Sequence, residues 1–172
     1  MSKLFIVCGL PGSGKTTLAK ELSKRLKISC LHKDSIKEFL YSDLKLNSLE
    51  NSRKIGLTSI KLLLALCKEQ LSNGIDLIIE APFYFPEDHK LFESWEKDLV
   101  FTRYTIICYI DKEERRQRFK KRTRHTAHHD HERADDKPMD SSVYKNISGN
   151  IIKVKTNKKL NTLIDSVISQ IN

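Results

Sequence analysis

Eight residues, Gly9-Leu10-Pro11-Gly12-Ser13-Gly14-Lys15-Thr16, constrain this chain more than any other part of it. They follow a continuous apolar run, Leu4 to Cys8, and precede a stretch from Thr17 to Leu26 with Leu18, Leu22 and Leu26 on one helical face. A strand apolar at every position has both faces covered, so the run predicts a buried strand of a parallel sheet. Between a strand and a helix, the pattern G-x-x-x-x-G-K-[ST] marks a loop that wraps phosphate groups. Phosphate oxygens need many donors at short range, and glycines let backbone N–H groups turn inward and approach them closely. The helix that follows aims the positive end of its dipole at the same anion. Lys15 then supplies a point charge for the β and γ phosphates, and Thr16 a hydroxyl for Mg²⁺. The candidate ATP-binding set is therefore Gly9, Leu10, Pro11, Gly12, Ser13, Gly14, Lys15, Thr16 and Thr17, with ATP and Mg²⁺ as the implied ligands.

The remaining chain repeats strand and helix to its end. Ile28 to Leu31 predicts a short strand, and Asp34 an N-cap ahead of Ile36, Phe39 and Leu40. Ile60, Leu63, Leu64, Cys67 and Leu71 lie at helical spacing in a long helix over Glu50 to Ser72, which Asn73-Gly74 ends. Leu77 to Ile79 is a third strand closed by Glu80 and Pro82, and Pro86 to Lys97 reads as helix. Tyr104 to Ile110 is a fourth strand, Asp111 to about Arg124 a basic helix, Ile151 to Val154 a fifth strand, and Leu160 to Ile171 a closing helix. From His125 to about Ser148 the chain is polar and rich in His and Asp, which predicts a mobile loop or lid. The fold class is α/β, a five-stranded parallel sheet sandwiched by helices, in one domain over residues 1–172 with a lid near 115–148.

Composition excludes more than it identifies. The charge of +9 and the pI of about 9.4 favour anionic partners, but a nucleotide is one, and much of the excess lies between Lys112 and Arg133. No apolar run approaches the roughly 20 residues of a membrane helix, so a cytoplasmic protein with no membrane partner is expected. Cys8, Cys30, Cys67 and Cys108 form no C-x-x-C pair, which leaves buried free thiols.

On the loop Gly9–Thr16, on Asp34 and on Arg118 with Arg122, the sequence resembles the small P-loop kinases. These are adenylate and gluconate kinases, chloramphenicol phosphotransferase and the kinase domain of polynucleotide kinase. The resemblance implies the P-loop NTPase fold with the loop strand central. It also implies that Asp34 accepts the attacking hydroxyl's proton. Lys33-Asp34-Ser35-Ile36-Lys37 is similar to the D-x-x-R arrangement of polynucleotide kinase, with Lys37 at the arginine's place among the substrate-binding candidates. Arg118 and Arg122, four residues apart on one helical face, match a lid pair in which one arginine stacks on adenine and the other reaches the transferring phosphate. Arg122 is thus counted with Lys15 and Asp34 as catalytic. Glu80, a substrate-binding candidate with Phe83, stands where many P-loop proteins carry an aspartate that holds the metal-bound water. A contact to acceptor or water and one near the metal are both open for it. Phe83 to Phe85 stand where these kinases hold the acceptor. Asp34 as a mere helix cap and Phe83 as core packing remain open. For His125, His128, His129 and His131 with Asp130, a zinc site, a phosphate contact in the lid and a solvated loop are all open.

The expected activity is transfer of the γ-phosphate of ATP to a hydroxyl, or a phosphate, of a small-molecule acceptor. Two alternatives remain at this stage: a kinase for 5′-hydroxyl ends of nucleic acid, and an ATP-dependent switch that has no small acceptor.

Overall fold

In a computed structural model that describes residues 1–121, 123–129, 141–145 and 147–171, strand β1 (Ser2–Cys8) is central. From Leu4 to Cys8 it is apolar at every position because each face meets a helical layer. Leu4, Ile6 and Cys8 point into one core with Leu63, Cys67 and Leu71 of α3 (Leu49–Ser72) and Phe92 and Trp95 of α4 (Pro86–Asp98). Phe5 and Val7 point into the other, with Leu18 and Leu22 of α1 (Lys15–Leu26) and Ile164 and Val167 of α6 (Leu160–Ile168). Each such side chain contributes roughly 1.5–3 kcal/mol by leaving water.

The sheet has the order β2-β3-β1-β4-β5, with every pairing parallel. Its other strands are β2 (Cys30–His32), β3 (Leu77–Glu80), β4 (Phe101–Tyr109) and β5 (Asn150–Lys155). Among the described residues, α2 (Lys33–Asp43) and α5 (Lys112–Lys121) complete the helices. Chain segments leave the carboxyl ends of all five strands on one side, which is where parallel α/β sheets place their ligands. Val7 and His32 both pair with Glu80, so three adjacent strands end at one level there.

The structure corrects several expected boundaries. Strand β4 begins at Phe101 instead of Tyr104 because Arg103, 2% exposed, is held inside by Glu96 through Nε and by Ser148 through Nη2. On α2 the buried residues are Lys37 and Tyr41, while Phe39 is 68% exposed, so the helix is rotated from the face that its apolar residues predicted. Asp34 is not the N-cap of α2: His32 holds that position, without a side-chain cap, and Asp34 lies in the first turn. Residues 123–125 are not helical, so α5 stops short of Arg124. No helix among the described residues is long and apolar enough to cross a membrane.

Candidate active site

The loop after β1 is built by close packing. A β-carbon on Gly9, at φ +146°, would lie 2.4 Å from the Cys108 carbonyl oxygen and 2.6 Å from Ser13 Oγ, so only glycine fits between β1 and β4. Gly14, at φ +83°, is the N-cap of α1 and sits against Thr156, where a β-carbon would meet the threonine side chain at 3.2 Å. The Thr156 hydroxyl donates to the Ser13 carbonyl at 2.7 Å, tying the loop to the segment after β5. Gly12 packs under α5, with the Arg115 carbonyl 3.0 Å from its built β-carbon.

This cradle suits an anion. Helix α1 has no side-chain cap and no acidic residue in its first turn, so its N-terminal N–H groups and dipole face the loop uncompensated. Ser13 Oγ is buried and has no partner among the described residues. Leu10 is buried in the core and Pro11 half-buried; Thr16 is partly exposed in the first turn of α1, and Thr17 is exposed.

Lys15 is held from beneath by β3. Its Nζ lies 3.7 Å from Glu80 Oε1, and His32 Nδ1 lies 3.0 Å from Glu80 Oε2. Glu80 is 2% exposed, and these two partners compensate the burial of its side-chain oxygens. The hydroxyl of Thr16 and the carboxylate of Glu80 are hard oxygen donors, the kind magnesium takes, and both stand at the phosphate loop.

Across the crevice, Asp34 lies 3.2 Å from Lys33 Nζ through Oδ1 and pairs with Arg124 through Oδ2. Burial alone would raise its pKa. The charges of Lys33, Arg124, His128 and Lys15 outweigh burial and hold the carboxyl well below the usual carboxylate range. Asp34 is therefore an ionised, oriented acceptor of hydrogen bonds at neutral pH, within the electrostatic reach of the loop lysine.

Other sequence candidates separate here. Arg118, extending from α5, donates to the Thr156 carbonyl at 3.0 Å and to its hydroxyl at 3.3 Å, and pairs with Glu114 at 2.8 Å. Its guanidinium is thus engaged beside the loop by Thr156 and Glu114. Arg122 lies outside the described residues, as do Asp130 and His131. Lys37, expected among the acceptor contacts, is 1% exposed and donates to Ser52 Oγ at 2.8 Å, so its ammonium is spent inside the protein. Phe83 is likewise 2% exposed, with its ring edge-on to Phe92 at 5.4 Å; it is core, and not a surface on which an acceptor stacks.

The described histidines fit neither a zinc site nor a solvated loop. His125 Nε2 meets Ser42 Oγ at 3.0 Å while its Nδ1 accepts from the Ala127 N–H. His128 Nε2 meets Glu38 Oε1 at 2.7 Å, and His129 Nε2 meets the Tyr41 hydroxyl at 2.7 Å. All three dock this segment on α2, and no group of three or more His, Cys, Asp or Glu among the described residues is placed to hold a metal. Cys8, Cys67 and Cys108 are buried free thiols and Cys30 is half-buried.

Sequence reasoning missed Arg124, His32 and Thr156. Each acts through a partner distant in the chain, and no local pattern marks such a pairing.

Comparison with known proteins agrees with this architecture. A family described as an AAA domain matches residues 4–165. No curated protein matches the sequence. Among solved structures, a candidate kinase from Chloroflexus aurantiacus J-10-fl superposes with a TM-score of 0.76 at 24% identity, over 99% of each chain. The APS kinase CysC of Mycobacterium tuberculosis, in complex with AMPPNP and APS, gives 0.57 at 18% identity, over 99% of this chain and 96% of that one. Chaetomium thermophilum Kti12, in complex with ADP-AlF3, gives 0.59 at 18% identity, over 98% and 99%. At these identities the likeness is one of fold. The family match spans nearly the whole chain and the loop, sheet order and neighbours agree with it: the chain belongs to the AAA domain family and has the fold of the small P-loop kinases.

Proposed function

We propose that this protein is an ATP-dependent phosphotransferase that moves the γ-phosphate of ATP to a hydroxyl of a small acceptor, with Asp34 as the group that receives the hydroxyl's proton. The observation that supports this most directly is the Asp34 carboxylate, held by Lys33 and Arg124 and within electrostatic reach of Lys15 of the phosphate loop. A nucleotide switch has no need of such a carboxylate.

In this reading the amides from Gly9 to Thr16 and the ammonium of Lys15 hold the triphosphate. Lys15 leaves Glu80 to do so, and His32 remains to keep the Glu80 carboxylate paired. Thr16, with Glu80 nearby, would hold magnesium, which would supply positive charge to offset that of the phosphate oxygens. Asp34 accepts a hydrogen bond from the acceptor hydroxyl and so fixes its line of attack. A bond forms from the hydroxyl oxygen to the γ-phosphorus, the bond from phosphorus to the bridging oxygen breaks, ADP leaves, and the proton passes to Asp34. A loose transition state releases that proton late, so orientation by Asp34 matters more than basicity, and its depressed pKa is compatible with the role. Arg118 holds the nucleotide side against Thr156, and Arg122 is the proposed partner at the transferred phosphate.

The test is transfer of label from γ-labelled ATP to a panel of acceptors. Neighbours described as a sugar kinase, an APS kinase and a gluconokinase set its members, namely sugars, sugar acids and nucleoside phosphosulfates. Oligonucleotides with 5′-hydroxyl ends complete it. A labelled small product supports the proposal. A labelled oligonucleotide alone moves the acceptor to nucleic acid, and hydrolysis with no labelled product in any arm, accelerated by a protein partner, supports the switch instead.

A further inference from the structure

Lys37 is a costly residue for a protein interior. A lysine 1% exposed is tolerated only where its ammonium is bonded, and here the bond leads to a second buried group. Lys37 Nζ donates to Ser52 Oγ at 2.8 Å, and the Ser52 hydroxyl, on a residue 0% exposed, donates onward to the Ala127 carbonyl at 2.6 Å. Three separate pieces of chain are joined in this way: α2, the first turns of α3, and the turn Thr126–His128. Donors and acceptors all run in one direction, an order in which each bond polarises the next.

The turn held by this relay is the continuation of Arg124. Flanking contacts fasten the same segment to α2, from His128 to Glu38 and from His129 to Tyr41. Ala127 itself is 0% exposed, so the segment is seated in the protein and not laid over it. Arg124, three residues before Ala127, reaches Asp34, which is itself one turn before Lys37 on α2.

We propose that Lys37 is a positioning residue for Asp34: through Ser52 it anchors the Ala127 carbonyl, and this seats residues 124–129 so that Arg124 stays on the Asp34 carboxylate. The same stretch of chain carries Arg118 on the nucleotide side, so the anchor also fixes where the strap from nucleotide to acceptor carboxylate ends. The assignment extends the proposed role of Asp34, but the contact that it describes exists without an acceptor and is tested without one.

The test reads Asp34 directly. The side-chain carboxyl carbons of aspartate are labelled with ¹³C, and the Asp34 resonance is identified by its loss in Asp34→Asn. In the wild-type protein the charges facing this carboxyl are Lys33 from α2, Lys15 from α1, and Arg124 and His128 from the docked segment. Its resonance is expected to stay flat as pH is lowered to the ordinary aspartate value of 3.8. Arg124→Gln should bring its titration up into the accessible range. Lys37→Met should do the same although Lys37 does not take the Arg124 position, and hydrogen exchange across 123–129 should rise with it. If Lys37→Met does not fold, the pair Lys37→Met with Ser52→Ala removes both members of the buried bond and also leaves the Ala127 carbonyl without the Ser52 donor. A folded Lys37 variant, single or paired, with the Asp34 resonance and the exchange of 123–129 both as in wild type overturns the proposal. So does Arg124→Gln if it leaves the Asp34 resonance unmoved.

Discussion

Replacing Thr156 by valine should damage the phosphate loop from outside it. The side chains have the same shape, so the packing against Gly14 survives and the hydroxyl alone is lost. That hydroxyl is the donor to the Ser13 carbonyl at 2.7 Å and an acceptor for Arg118 Nη1 at 3.3 Å. Ser13 is 1% exposed, so water does not replace the donor. An orphaned buried carbonyl costs about 1–3 kcal/mol. The weaker Arg118 bond adds little, since this arginine also holds the Thr156 backbone carbonyl, which valine keeps. In a domain of this size about 2 kcal/mol corresponds to a fall in Tm of about 4–8 °C. Thr156→Ser keeps the hydroxyl and loses only a methyl group, so its Tm should fall by much less. Thermal unfolding followed by circular dichroism, with and without ATP–Mg²⁺, gives both numbers. The ATP-induced rise should also shrink in the valine variant, because the Ser13 and Gly14 amides lose their fixed position. A valine variant as stable as wild type, or a serine variant as damaged as the valine one, would refute the reasoning.

Other expectations follow from the same contacts. ATP–Mg²⁺ should raise Tm, by mass action on the native state, and Lys15→Ala should lose most of that rise; its unliganded Tm should also drop, because the buried Glu80 loses Lys15 and is left with His32. Arg118→Ala should weaken ATP binding in calorimetry more than it lowers turnover at saturating ATP, since its contacts lie on the nucleotide side. Burial holds the His128 pKa below its ordinary 6.5, against the opposing pull of Asp34 and Glu38. The unfolded chain therefore binds more protons below that pH, and stability is lost as pH falls from 6.5 through the folded value. His89 is shifted in the same direction by burial, and Asp34, also depressed, adds a further loss below 3.8. Tm against pH should accordingly be flatter near pH 6 in His128→Gln, with the residual slope belonging to His89; an unchanged slope would contradict the burial of His128.

What the sequence revealed and what it hid divide along chain distance. The phosphate loop was legible because its chemistry is local: a buried strand, glycines where backbone must pass close, and a lysine and threonine at fixed offsets on the helix that follows. The parallel sheet and its two helical layers were legible because β1 is apolar at successive positions, which only a doubly covered sheet explains. The site's second half was not. Asp34 was found as a catalytic candidate, but placed at the N-cap, because an aspartate before an apolar stretch looks the same whether it caps the helix or stands in its first turn. Arg124 lies 90 residues from Asp34 and Ser52 lies 75 from Ala127, so each pairing exists only in the folded chain. Lys37 and Tyr41 turn inward, while Phe39 is left exposed, because α3 and the segment docked on α2 offer them polar partners, Ser52 and His129. Propensity on α2 was overridden by the neighbour it meets.

The central claim is that Asp34 serves the acceptor, and Asp34→Asn tests it most directly. The amide keeps the size of the side chain but does not take up the hydroxyl's proton. It also accepts through a single oxygen where the carboxylate has two, engaged by Lys33 and Arg124. Once the labelled panel has named the acceptor, ATP affinity and phosphoryl transfer are measured on wild type and Asp34→Asn under the same conditions. Positioned general bases contribute about 10²- to 10⁴-fold, so transfer should fall by roughly that range. ATP affinity should stay near wild type, and background ATP hydrolysis should change much less, because water loses its proton to solvent. Transfer at the wild-type rate by a folded Asp34→Asn protein would contradict the account and leave Asp34 as a structural residue of α2.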